Sequence, residues 1–168
     1  MPFTKTRAEA ILKSNFGSSS GGAKIALLTI LPGESDSAGV VYPNGKEVET
    51  TTMVDGAPVP NGYQQIDLGE IEAQMGYIQN KNALHFPEAQ QSWGTVVGFK
   101  ISSTFKGLNE AATGSGSNAK PATYFTDSGD GFYGALKQPV IVPKETIPLF
   151  RAGYIRIGLD HMPPDITT

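Results

Sequence analysis

The stretch ALHFPEAQQSWGTVVGFKI (residues 83–101) holds one of two histidines, a glutamate and the chain's only tryptophan. Its later part, WGTVVGFKISS, alternates. Thr95, Val97, Phe99 and Ile101 fall on one side and Val96, Gly98 and Lys100 on the other, the period of a half-buried strand. The earlier part ends a strand at ALHF and turns at Phe86-Pro87-Glu88. Two strands joined at a corner predict antiparallel β structure. In this reading Phe86 and Trp93 brace the corner by burial. Glu88 is exposed or caps backbone N–H groups, and Gly94 and Gly98 permit close backbone approach. His85, beside Phe86 and Pro87, reads as a structural or partly exposed histidine.

Working outward, residues 4–16 (TKTRAEAILKSNF) read as one short amphipathic helix. Thr4 or Thr6 caps its start. Ala8, Ile11, Leu12 and Phe16 share a face, with Lys5, Glu9 and Lys13 on another. Gly17 stands where a C-cap belongs, and a Gly/Ser linker completes residues 1–23. KIALLTIL (24–31) is apolar on both alternating faces, as in a central strand. Asn44-Gly45 and Asp55-Gly56 are hairpin-turn signals. YQQIDLGEI (63–71) and GYIQNKNALHF (76–86) are further strands, split near Gln74-Met75. Residues 105–130 read as a loop insertion. FYGALKQ, PVIV, IPLF and YIRIGLD then follow as short strands. Pro148 puts IPLF at an edge. In YIRIGLD, Ile155, Ile157 and Leu159 alternate with Tyr154, Arg156 and Gly158. Residues 161–168 form a polar tail that a partner surface would order.

One helix followed by about eight strands predicts a mainly β fold. Its form is an antiparallel β-sandwich, jelly-roll or Ig-like, over residues 24–160. No βαβ alternation appears, which argues against a nucleotide-binding parallel sheet.

Bulk properties narrow the function. A chain of 168 residues fits one domain, since domains cluster at roughly 100–150 residues. With no cysteine, disulfides, thiolate catalysis and cysteine-ligated zinc are excluded. The net charge is −3, so no basic footprint for nucleic acid is visible. No apolar run approaches the ~18–20 residues that span a bilayer, and no signal-peptide core opens the chain. Charged residues are only 17%, against ~25% in a typical domain. Gly and Pro total 32 of 168 residues, as many turns between short strands require.

Several strings imitate active-site motifs. GSGSNA (114–119) has the outline of a dinucleotide loop but lacks the strand before it and the helix after it. STFK (103–106) matches Ser-x-x-Lys without its companion elements. TDSGDG (126–131) places glycine where a calcium loop needs oxygen ligands. His161 lies in the tail, away from any orienting carboxylate. Asp67, Glu70, Glu72 and Glu88 are candidates for a carboxylate pair, which sequence alone does not assemble. Strand-end surface carboxylates are far commoner than catalytic pairs. The expectation is therefore no enzyme, no cofactor and no metal site.

FPEAQQSWGTVVGF and, after a gap, FYGALKQPVIVPKETIPLFRAGYIRIGLD together resemble the C-terminal half of a family of small bacteriophage proteins known as phage tail fibre proteins. The matching elements are Phe86–Ala89, Trp93–Val96, Tyr133–Leu136, Pro139–Pro143, Ile147–Gly153 and Ile155–Asp160. The first half is similar more loosely, through the helix, KIALLTILP and Gly62-Tyr63. The chain departs from the family at residues 105–130 and by a longer segment at 43–61. The resemblance carries no catalytic residues. It implies a virion structural protein on a tail, neck, baseplate or capsid, made in the host cytoplasm and present in many copies. The implied partners are other virion structural proteins and copies of the chain itself, with neither nucleic acid nor membrane insertion. Alternatives are a capsid decoration or head fibre protein, and a host-surface glycan-binding module using Tyr124, Phe125 and Tyr133.

Overall fold

The computed structural model describes residues 4–16, 23–74, 76–102 and 132–158. The linker at 17–22, the whole 105–130 insertion, the motif-like strings between 103 and 131, Tyr124, Phe125, Leu159, His161 and the 161–168 tail lie outside the described residues. Helix α1 spans Lys5–Phe16. The strands are β1 (Lys24–Ile30), β2 (Glu34–Ser35), β3 (Val41–Tyr42), β4 (Lys46–Glu47), β5 (Thr51–Val54), β6 (Ala57–Pro60) and β7 (Ile66–Asp67). They continue with β8 (Ile71–Gln74), β9 (Tyr77–Asn80), β10 (Leu84–His85), β11 (Gly94–Ser102), β12 (Phe132–Val142), β13 (Leu149–Phe150) and β14 (Arg156–Gly158). The fold is mainly β with one short helix, as expected. Each pairing among the described residues is antiparallel. There are more strands than the roughly eight anticipated, because several are two-residue ladders that leave little pattern in sequence.

The largest sheet has five strands in the order β12-β11-β1-β4, with β7 also on β1. β1 is central: β11 pairs along one edge, and β4 and β7 share the other. Residues Ile25 to Leu28 are all buried, which explains the unbroken apolar run. β8, β9 and β14 form a second sheet. Helix α1 packs over it, burying Ala8, Leu12 and Phe16. Thr4 is the cap: its Oγ1 accepts from Arg7 N at 3.3 Å and its carbonyl from Ala8 N at 2.9 Å. Glu9 is not left on a solvent face. Its carboxylate accepts from Gly76 N at 2.6 Å and ties the helix to the β8–β9 turn, where the sequence split at Gln74-Met75.

Of the two hairpin-turn signals, Asp55-Gly56 holds; Asn44-Gly45 makes a turn but no hairpin, since β3 pairs with β2 and β4 with β1. Asp55 and Gly56 have φ of 48° and 82°, as a two-residue turn between β5 and β6 requires. Gly45 has φ +73° and donates to Tyr42 O, and a Cβ there would meet Ile30 O at 2.8 Å. Over residues 154–158 the predicted β14 alternation also holds, with Ile155 and Ile157 buried and Tyr154, Arg156 and Gly158 exposed; Leu159 lies outside the described residues.

Four expectations need correction. Residues 76–86 are not one strand but two, β9 and β10, in different sheets. Residues 63–71 are not one strand. Gly69, at φ +67°, turns the chain, so only β7 and the start of β8 remain extended. FYGALKQ and PVIV are not separate strands but one, β12. Its ladder with β11 shifts register between Val96 and Gly98, and Pro139 falls in that irregular stretch. There β12 forms the sheet's edge, where a residue without N–H is tolerated. The one-sided alternation predicted for β11 does not hold either. Val96 is buried and Thr95 exposed, while Ile101 remains buried. The extra residues lie on β12, where 136–139 face Val97 alone, and β11 stays in continuous register with β1; its burial falls on both faces, Val96 and Gly98 on one and Ile101 on the other.

Candidate functional site

The corner at residues 86–94 is built as a brace. Phe86 and Trp93 are both buried. Their rings meet edge-on at 6.4 Å, and Tyr63 meets Trp93 edge-on at 5.2 Å. Phe86 continues the cluster to Phe150 at 6.2 Å, and Phe150 to Phe99 at 5.5 Å. Such T-shaped pairs set the negative ring face of one against the positive edge of the other. The backbone is clamped as well. Phe86 N donates to Pro148 O, Ala89 N to Thr146 O, Glu145 N to Ala89 O, and Trp93 N to Val142 O, all within 2.7–3.0 Å.

Pro87 is half-buried, and Glu88 and His85 are exposed. Neither Glu88 nor His85 makes a side-chain hydrogen bond or ion pair with another described residue. His85, Glu88 and Trp93 are therefore adjacent in sequence but point to different environments. Gly98 does allow close approach: a Cβ would lie 2.5 Å from Leu31 Cδ2 and 2.6 Å from Gly134 O. Gly94 does not. Nothing lies within 4 Å of its Cβ position, and φ +79° is what calls for glycine there.

Three further residues cross-link the core through polar side chains, a role that sequence does not show. Asn61 is buried and cross-links three segments. Its Nδ2 donates to Glu49 O (2.7 Å) and Thr52 Oγ1 (3.3 Å), its Oδ1 accepts from Tyr63 N, and its carbonyl accepts from Trp93 Nε1 and Gln90 N. Asn80, also buried, donates to Asn82 O and Arg151 O and accepts from Ile155 N. Tyr63 OH accepts from Leu27 N at 2.9 Å and donates to Glu47 Oε1 at 2.8 Å. Burial, reinforced by the Glu47 charge, pushes its pKa well above the ordinary tyrosine value. Pro60-Asn61-Gly62 reads in sequence as plain turn chemistry. The available signal was Gly62, whose Cβ would lie 2.8 Å from Glu88 O, marking a tight crossing.

The candidate carboxylates at 67–72 have partners of other kinds. Asp67 pairs with Lys24 at 2.6 Å and Glu70 with Lys81 at 2.9 Å. Glu72 accepts from Gln79 at 3.3 Å. Lys81 holds the exposed Glu70 carboxyl below its usual range. Among the described residues no group of three His, Cys, Asp or Glu side chains is placed to hold a metal, and no helix is long and apolar enough to cross a membrane.

What the surface does present is apolar. A groove of about 560 Å³ opens between β12 and residues 148–154. Core residues Leu27, Phe86, Val96, Val142 and Phe150 form its floor. Its walls include Val140, Leu149 and Tyr154, 49–70% exposed, with Arg151 at the rim. Tyr133 is also exposed on β12, without its two predicted glycan-contact companions among the described residues. No protein-family model matches this chain, and no curated protein matches it in sequence.

Proposed function

We propose that the chain is a structural component of a bacteriophage virion that acts by protein–protein assembly. The observation that carries this reading is the exposed apolar groove beside the free edge of β12. Monomeric soluble domains rarely leave a contiguous apolar surface open without a binding role. Long, weakly charged edge strands invite pairing unless something covers them. β12 has eleven residues with Lys137 its only charge, and among the described residues it pairs on one side alone. The sequence resemblance to small phage tail fibre proteins supplies the setting, a particle assembled in the host cytoplasm. The rigid aromatic corner then serves as scaffold for the groove, since Phe86 and Phe150 form part of its floor.

The test is a stop codon in the gene, with particles raised in suppressing and non-suppressing hosts. This reading predicts particles that lack a visible element or fail to adsorb, restored by supplying the chain in trans. Particles of normal yield, appearance and infectivity without it would refute the assembly role.

A further inference from the structure

The groove has a counterpart on the same chain. Residues 132–158 carry four cations, Lys137, Lys144, Arg151 and Arg156, and one anion, Glu145, a net of +3 in a chain whose total is −3. Residues 34–58 carry five acids, Glu34, Asp36, Glu47, Glu49 and Asp55, and one cation, Lys46, a net of −4. The acidic region is also apolar at its surface. Met53 is 65% exposed on the β5–β6 hairpin, with Asp55 exposed at the tip. That hairpin pairs only with itself among the described residues. At its base Thr52 Oγ1 donates to Ser92 O at 2.6 Å, which fixes the hairpin to the corner. It does not fill its own chain's groove, since Met53 and the groove walls are all exposed.

We infer that the groove between β12 and residues 148–154 receives the β5–β6 hairpin of a second copy of this chain. Met53 of one copy packs against Val140, Leu149 and Tyr154 of the other, and Asp55 meets Arg151. Opposite charge around an apolar centre steers encounter and fixes orientation, and it disfavours groove-to-groove contact, which would bring like charges together. The inference rests on the assembly reading above and names the partner of that surface.

Sedimentation velocity on the full chain tests it, over a concentration series at low and high salt, with Met53→Glu and Tyr154→Glu. Both side chains are exposed, and circular dichroism checks that each variant folds. Arg151→Glu and Asp55→Asn are a second pair if either fails. The wild type should self-associate, less so at high salt as screening shortens the reach of the charges. Each variant alone should weaken association by about tenfold or more. Mixing the two in equal amounts should restore a complex of two chains, because an intact hairpin and an intact groove are then both present. A wild type that is monomeric throughout overturns the inference, as does loss in Tyr154→Glu alone or a mixture that stays apart. The particle experiment above is independent. A monomer in solution that is still needed in the particle would remove the hairpin–groove contact and leave the structural role standing.

Discussion

The indole Nε1 of Trp93 donates to the backbone oxygen of Asn61, 32 residues earlier, at 2.8 Å. Asn61 in turn holds Glu49, Thr52 and Tyr63 through its side chain. This buried contact, with Gln90 N on the same carbonyl and Thr52 Oγ1 on Ser92 O, joins the corner at 86–94 to the base of the β5–β6 hairpin. Replacing Trp93 by Ala should cost about 3–5 kcal/mol, the range for removing a large buried aromatic. Trp93→Phe keeps a ring beside Tyr63 and leaves Gln90 N on the Asn61 carbonyl, so its cost should be smaller. Urea midpoints of the two variants give the order. An unchanged midpoint for Trp93→Ala would mean that the corner is not a brace.

Asn80 is the second polar cross-link in the core. Asn80→Leu removes the donor to the Asn82 and Arg151 carbonyls, the latter keeping its bond from Tyr154 N, and strands the N–H of buried Ile155, at about 1–3 kcal/mol if left unpaired. Amide hydrogen exchange at Ile155 should quicken by more than global destabilisation explains. Exchange that tracks global stability alone would show that the side-chain bond protects nothing locally.

Two glycines in β11 should respond differently to the same change. Gly98→Ala drives a methyl into Leu31 and the backbone oxygen of Gly134, and overpacking of this kind costs about 1–3 kcal/mol. Gly94→Ala meets nothing and carries only the left-handed backbone penalty, about 1–2 kcal/mol. Gly98→Ala should therefore unfold at the lower denaturant concentration. The reverse order would contradict the close approach at Gly98.

Tyr63 gives a pH signature. Its folded pKa is raised, chiefly by burial and then by Glu47. The unfolded phenol ionises near the usual value of about 10. Below that pH both states are protonated and the full stability is present. Above it the unfolded state loses a proton that the folded state keeps, so stability falls as pH rises. Unfolding free energies measured between pH 8 and pH 11 (roughly, around the reference pKa) should decline for the wild type. The decline should be shallower for Tyr63→Phe, which lacks the ionising group. Parallel slopes would assign the alkaline loss to other residues.

How far the sequence could be read depended on whether a signal was local. KIALLTIL announced a central strand because both of its faces are buried, and Asp55-Gly56 announced its hairpin because only certain residues tolerate that backbone. The Phe86 and Trp93 brace was legible from residue type and position. The register shift between β11 and β12 was not: it arises from pairing between strands more than thirty residues apart (Val96 opposite Val140). Asn61 and Asn80 were missed for the same reason. Their partners are distant carbonyls, and a buried asparagine looks in sequence like a turn residue. The groove was hidden too, since its floor and walls come from five separate stretches of chain. The candidate carboxylates at 67–72 resolve instead into surface contacts with Lys24, Lys81 and Gln79, which depend on strand pairing.

The most direct test of the assembly role is the copy number of this chain in purified particles. Quantitative mass spectrometry against labelled peptides, normalised to the major capsid protein, supplies it. The account predicts a fixed number of copies per particle, well above trace and unchanged by a high-salt wash and gradient repurification. Its absence from repurified particles, with the chain left in the lysate, would contradict the account.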